Sequence, residues 1–349
     1  MTGERRWDGR PDAQTLAVLA REFPDREAVA TRPAARGNTK STALVTFADG
    51  ESVVVQVGAG DGADLRTAAT LLRGVRERTS IPVPRVLAEG WLSAADPPAE
   101  TAPSESRGDE PARQYVVLER VPGEDLHERF VDLDAEARRR IAAVFGRSLA
   151  ELHEAFDFEG YGPVTVHDDA VGERRWRADG ADGQATETEW RTWFDTYARA
   201  GARALPAPFD DLRDAVVTAV DGAELPSRPP SRLYPWDLRP GNALVAGGEV
   251  TAFLDWDGPL AADPGLAVAK VEHLVADWYV PGERDRLREA FREGYREHRD
   301  YPEVPAVYRL VAVVRSAVDG RGVVTRPLYP EVDGDDAVAF HREAMSRWL

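Results

Sequence analysis

Three oxygen-bearing side chains, Asp237, Asn242 and Asp255, frame the segment DLRPGNALVAGGEVTAFLD. The runs Ala243–Ala246 and Val250–Leu254 flank Gly247-Gly248, and two glycines between short apolar runs are the signature of a tight β-hairpin. A hairpin brings its two ends together, so the three side chains can converge on one spot. Two carboxylates and a carboxamide oxygen suit Mg²⁺, a hard cation that takes oxygen ligands and keeps several waters. Phosphoryl transfer needs such a constellation, with metal on the phosphates and a carboxylate to orient and deprotonate the attacking hydroxyl. An aspartate followed five residues later by asparagine carries little information alone. The second aspartate, 13 residues beyond the asparagine at a strand end, makes the pattern specific. The competing reading is three surface polar residues around an ordinary hairpin.

The elements that must position this segment fall into two groups. Residues 12–31 read as a short helix and a loop, and Thr42–Phe47 with Ser52–Val57 as a hairpin turning at Ala48-Asp49-Gly50. Asp64–Arg76 has helical spacing, and Val86–Leu92 and Gln114–Leu118 read as strands. Between those strands, 93–113 carries four prolines and almost no large apolar side chain, as a flexible insertion would. Beyond it Asp134–Ala155 sets Ile141, Val144, Phe145, Leu149 and Leu152 on one helical face. Further helical patterns occupy 187–220, 265–298 and 305–318. The expected fold class is α+β, with a small strand-rich lobe over 1–119 and a larger helical lobe over 120–349 that embeds the hairpin.

Composition narrows the function classes. The chain has 349 residues, no cysteine and a net charge of −17, so thiolate metal sites are excluded and nucleic acid polymers or anionic membranes are poor partners. Acidity of this degree fits a salt-adapted (halophilic) source, and it reports on solubility rather than on a ligand. No apolar run is long enough for a membrane span and the N-terminus lacks a secretory pattern, so a cytoplasmic location is expected. Only two of the 44 basic residues, Lys40 and Lys270, are lysine. The histidines form no metal-binding pair, and His153 reads as a packed residue. Trp190, Trp193, Trp256 and Tyr234 can line an acceptor pocket, although packing is the simpler reading of each. Acyl-transfer motifs are absent.

With these residues in view, DLRPGNALV and FLDWD resemble the catalytic and metal-binding segment of the aminoglycoside phosphotransferase/choline kinase-like (APH) family, whose members share the protein kinase-like two-lobed fold. GNTKST, VVVQV, IPVPRVLAEG, YVVLERVPGEDL and FGRSLAELHEAFDFEGYG follow in the family's order, so the likeness runs from about residue 36 to 270. It implies an ATP-dependent (or GTP-dependent) phosphotransferase that uses Mg²⁺ and a small-molecule hydroxyl acceptor such as an aminoglycoside, amino-alcohol or sugar. It further implies Asp237 as the catalytic carboxylate, Asn242 and Asp255 as metal ligands, and Glu119 and Val121 as the backbone that holds the base of the nucleotide. Gly37, Asn38, Thr39, Lys40 and Ser41 would cover the phosphates with backbone amides.

Four positions depart from the family pattern. The histidine and glycine before the aspartate are Pro235 and Trp236; proline can stiffen the turn, and Trp236 can bury apolar surface beneath it. The strand lysine is Gln56 and its glutamate partner Thr67, which together leave a neutral hydrogen-bonding pair, with Lys40 or Arg66 as replacement cations. The aspartate four residues after Asp263 is Ala267. Gln56 and Thr67 motivate a rival reading as a nucleotide-binding pseudokinase, and a metal-dependent phosphoester hydrolase is a second rival.

Overall fold

The computed structural model describes residues 12–34, 40–58, 64–93, 112–168, 174–178 and 189–349. The chain divides into two compact units, one of residues 1–77 and 83–121, the other of 78–82 and 122–349.

The first unit contains α1 (Ala13–Glu22), β1 (Ala28–Pro33), β2 (Lys40–Phe47), β3 (Ser52–Gly58), α2 (Leu65–Arg78), β4 (Val86–Leu92) and β5 (Arg113–Glu119). Its strands form an antiparallel sheet in the order β1-β2-β3-β5-β4. Along β3 the valines at 53, 55 and 57 are buried while Ser52, Val54 and Gln56 are half-buried, the two-residue period of a strand with one core face. Those valines pack with Val45, Phe47, Tyr115, Val117 and the apolar stripe Ala17-Val18-Leu19 of α1. Helix α1 starts at Asp12, whose carboxylate accepts from Thr15 N at 2.9 Å, a side-chain cap. Strand β1 replaces part of the loop expected over 12–31. Only Thr31 of its six residues is buried, so the alternation that announces a strand is missing. Most of the proline-rich insertion, 94–111, lies outside the described residues.

The second unit holds β6 (Glu124–Asp125), α3 (Leu126–Arg129), α4 (Ala135–Ala155), β7 (Asp157–Phe158), β8 (Gly162–Asp168), β9 (Arg174–Ala178), α5 (Trp190–Ala204) and α6 (Asp210–Asp221). It continues with β10 (Ser231–Tyr234), β11 (Ala243–Ala246), β12 (Glu249–Phe253), β13 (Leu260–Ala262), α7 (Pro264–Ala276), α8 (Arg284–Arg296), α9 (Ala306–Ser316) and α10 (Gly334–Ser346). Two small sheets, β7-β10-β13-β8-β9 and β12-β11-β6, are set among the helices. The first of these was not expected from sequence, because several of its strands have only two to four residues.

Helix α4 buries Ile141, Phe145, Leu149 and Leu152 as its spacing requires. It crosses α8 at a point where a Cβ on Gly146 would lie 1.9 Å from the Phe291 carbonyl oxygen, and one on Gly294 2.0 Å from that of Ala143. Only glycine permits that approach. His153, fully buried near the end of α4, places Nδ1 2.7 Å from the Tyr295 hydroxyl. Burial pushes its pKa down to about 3, so the ring is neutral and structural, as its position suggested. Helix α7 is buried along its whole length and starts at Asp263, which accepts from Gly265 N at 2.8 Å and from the Tyr308 hydroxyl at 2.8 Å. Asp263 therefore sets where α7 begins.

Candidate active site

The hairpin β11–β12 turns through Gly247 at φ 60° and Gly248 at φ 81°, the positive angles that a two-residue turn between twisted strands needs. Its register pairs Ala243 with Phe253, and at the open end Leu254 N donates to the Asn242 carbonyl at 2.7 Å. Asp255 is thus the first residue past the last rung. Its backbone lies at φ 57°, a region that non-glycine residues rarely occupy and aspartate enters more readily than most. Trp256, buried just after it, donates Nε1 to the Phe253 carbonyl at 3.1 Å and braces the bend.

At the other strand end a short 3₁₀ turn, Pro240–Asn242, points Asn242 back at the preceding loop. Asn242 Nδ2 donates to Asp237 Oδ2 at 2.8 Å and to the Asp237 carbonyl at 3.0 Å. Arg239 Nε lies 3.0 Å from the other carboxylate oxygen, Oδ1. Burial alone would lower the pKa of Arg239, but the carboxylates of Asp237 and Asp255 outweigh it and raise the value. Asp237 is therefore gripped at both oxygens.

The donor set fits Mg²⁺. With Nδ2 of Asn242 committed to Asp237, its Oδ1 is the atom left for a hard cation, and the Asp255 carboxylate is exposed. Among the described residues no cluster of three or more His, Cys, Asp or Glu side chains is placed to hold a metal. The candidate ligands are thus a carboxylate and a carboxamide, with water to complete the shell.

Comparison with known proteins shows the family and the fold. The model of the phosphotransferase enzyme family, APH, matches residues 30–307. The chain belongs to that family. Membership makes it a small-molecule kinase. No curated protein sequence matches it significantly. Among solved structures, aminoglycoside phosphotransferase APH(4)-Ia superposes with a TM-score of 0.58 at 16% identity, covering 96% of this chain and 98% of that one. An aminoglycoside phosphotransferase in complex with GDP and kanamycin gives 0.58 at 14% identity, with 96% and 98% covered. A putative fructosamine-3-kinase from Haemophilus somnus gives 0.54 at 15% identity, with 97% and 96% covered. The shared fold is the α+β protein kinase-like one.

In this phosphotransferase the residues singled out for the nucleotide are spread along the first unit. Lys40 and Ser41 are strand residues of β2, paired with Gly58 and Val57, rather than loop residues as the sequence suggested. Gly37, Asn38 and Thr39 lie outside the described residues. Gln56 stands half-buried on β3, on the sheet face opposite the valine core. Thr67 donates its hydroxyl and, at 3.0 Å, its backbone N–H to Asp64, the residue that caps α2. A helix cap, and not the expected pairing with Gln56, thus holds Thr67. Glu119 ends β5, where its N–H donates to the Arg85 carbonyl and its carboxylate accepts from Arg85 N, both at 2.9 Å. Val121 closes the first unit.

The altered lead-in to the candidate catalytic loop works differently from the apolar support anticipated for it. Trp236 is only half-buried, and cations occupy its ring. Lys270 Nζ of α7 lies 3.2 Å from the ring centroid, and the Arg315 guanidinium of α9 lies 4.8 Å from it. Arg315 also sits 4.5 Å from the ring of Tyr197 on α5. Tyr197 meets Trp236 edge-on and places its hydroxyl 3.3 Å from that of Tyr234. Burial drives the pKa of Lys270 well below the ordinary lysine value, against the pull of Asp237. Tyr234, Trp190 and Trp256 are core residues, whereas Trp193 stacks on Tyr197 and is half-buried. Sequence reasoning missed Arg239, Lys270 and Arg315 as parts of this site. Arg239 could have been found from its place inside DLRPGN; the other two carry no local signal.

Proposed function

We propose that the protein transfers the γ-phosphoryl group of ATP to a hydroxyl of a small-molecule acceptor. Asp237 accepts the hydroxyl proton as the acceptor oxygen bonds to phosphorus; the bond to the β–γ bridging oxygen breaks and ADP leaves. Asn242 and Asp255 would hold Mg²⁺, which supplies charge neutralisation on the phosphates. Arg239 and the amide of Asn242 keep the carboxylate of Asp237 aimed. Gln56, the backbone of Glu119 and Val121, and the segment 37–41 would contact the nucleotide.

The observation that carries this reading is the Asp237–Asn242–Leu254 chain of hydrogen bonds, which ties base, amide ligand and strand end into one unit. The complexes of structural neighbours with ADP and hygromycin B, and with GDP and kanamycin, support a nucleotide together with a hydroxyl-rich acceptor. ADP release should be measured with a panel of sugars, amino-alcohols and aminoglycosides in the presence of Mg²⁺. Asp237→Asn should lower kcat about a hundredfold to ten-thousandfold while Mg–ATP still raises the unfolding temperature. Unchanged turnover in that variant would refute the assignment. A Mg–ATP thermal shift without turnover of any acceptor would instead favour a nucleotide-binding protein without catalysis.

A further inference from the structure

The acidic charge that acts on Lys270 is that of Asp237, which Arg239 and Asn242 already hold. Lys270 is 3% exposed, and neither it nor Arg315 has a carboxylate partner among the described residues. Arg315 Nε is buried without a hydrogen-bond acceptor. The buried acids nearby in sequence are already engaged: Asp263 by Gly265 and Tyr308, Glu272 by Arg292 and Arg309, Asp277 by His273 and Arg288. Arg315 is also fixed in place. Gly201 of α5 admits the Arg315 stem, since a Cβ there would come within 2.5 Å of Arg315 Cδ. One turn earlier on the same helix, the ring of Tyr197, itself stacked on Trp193, lies under the guanidinium.

In a chain of net charge −17, two cations without carboxylate partners beside the residue next to Asp237 form a local positive site. An acceptor amine placed there would meet like charge, whereas a carboxylate or phosphate would find a planar guanidinium suited to bidentate contact. We propose that the acceptor is a hydroxyl compound bearing an anionic group, carboxylate or phosphate, that Arg315 binds directly while Lys270 reinforces the field through the Trp236 ring. The proposal rests on the phosphotransferase reading of Asp237 and names its substrate class.

A matched set of probes tests it: glucose, glucosamine, gluconate and glucose 6-phosphate, titrated calorimetrically into the full chain with Mg²⁺ and a non-hydrolysable ATP analogue. Gluconate or glucose 6-phosphate should bind at least about tenfold more tightly than glucose or glucosamine, and which of the two wins tells carboxylate from phosphate. Arg315→Gln should remove that advantage, a loss of about tenfold to a hundredfold, and Arg315→Lys should retain part of it. Equal binding of the four, tightest binding of glucosamine, or an anion preference that survives in Arg315→Gln would overturn the proposal. Binding is read without turnover, so its failure is separable from failure of the catalytic assignment, which shows as absence of Asp237-dependent ADP release with every acceptor.

Discussion

Helix α7 carries buried charge of two kinds within a few residues. Glu272, with no exposed surface, accepts from Arg292 Nε at 2.7 Å, from the Tyr301 hydroxyl at 3.0 Å and from Arg309. Just beyond the end of the helix, Asp277 meets His273 Nδ1 at 2.9 Å, Arg288 at 2.7 Å and Arg284 at 3.3 Å. Burial alone would raise the Asp277 carboxyl, but His273 and Arg288 overcome it and hold the value at about 2. Lys270, two residues before Glu272, rests on an indole ring and makes no ion pair among the described residues, with Asp237 acting on it from farther off. A buried ion pair is part of the framework, and removing one member is strongly destabilising. A buried cation without a counter-ion weakens the fold, and such groups concentrate at functional sites. The contrast sorts the charges of one helix into those that hold the unit together and those kept for a ligand.

Three measurements can break or sharpen that division. The largest effect is expected from Glu272→Ala, which leaves Arg292 and Arg309 without their shared partner and should cost about 3–5 kcal/mol of stability by denaturant unfolding. Its kcat and KM should stay unchanged wherever it remains folded. A loss below about 1 kcal/mol would mean the network is dispensable.

The next effect is in the pH dependence. Asp277 has a depressed folded pKa, so its contribution is complete above the unfolded value of 3.8 and is lost as pH falls through about 2. Asp277→Asn should flatten that acid limb by about 2 kcal/mol. His153 and His341, neutral in the fold with pKa values near about 3 and about 4, already erode stability as pH drops below their unfolded value of 6.5. The Asp277 contribution is therefore the difference between wild type and variant below pH 4, and superimposable profiles there would remove it.

The smallest change is expected for Lys270→Met. Relief of the burial penalty should offset the lost cation–ring contact, leaving stability the same or about 1 kcal/mol higher, while binding of anionic acceptors weakens. A destabilisation above about 2 kcal/mol would place Lys270 with the framework charges after all.

Much of the site was legible before any fold was known. Asp237, Asn242 and Asp255 announce themselves because a hairpin converts separation along the chain into proximity, and Gly247-Gly248 encodes that hairpin locally. Helix α4 was equally plain, since its apolar spacing is a local signal. Strands β7 and β10 were not, because two to four residues are too few for a period to show. The role of Trp236 was misjudged for a related reason. Its partners lie 34 and 79 residues downstream, on helices whose own patterns say nothing of what they face.

By itself the sequence determined the chemistry on offer: a carboxylate, an amide and a second carboxylate at hairpin spacing, in a family pattern whose matched stretches span most of the chain. It also determined most helices and the longer strands, because capping and periodicity are properties of contiguous residues. Only the tertiary structure decided which charges are paired. Burial and neighbours 7 to 37 residues away give Glu272 and Asp277 their arginines, and packing across 34 and 79 residues leaves Lys270 and Arg315 on the ring of Trp236, beside Asp237. The energy of a buried charge depends on what surrounds it, and only the packed fold supplies those surroundings.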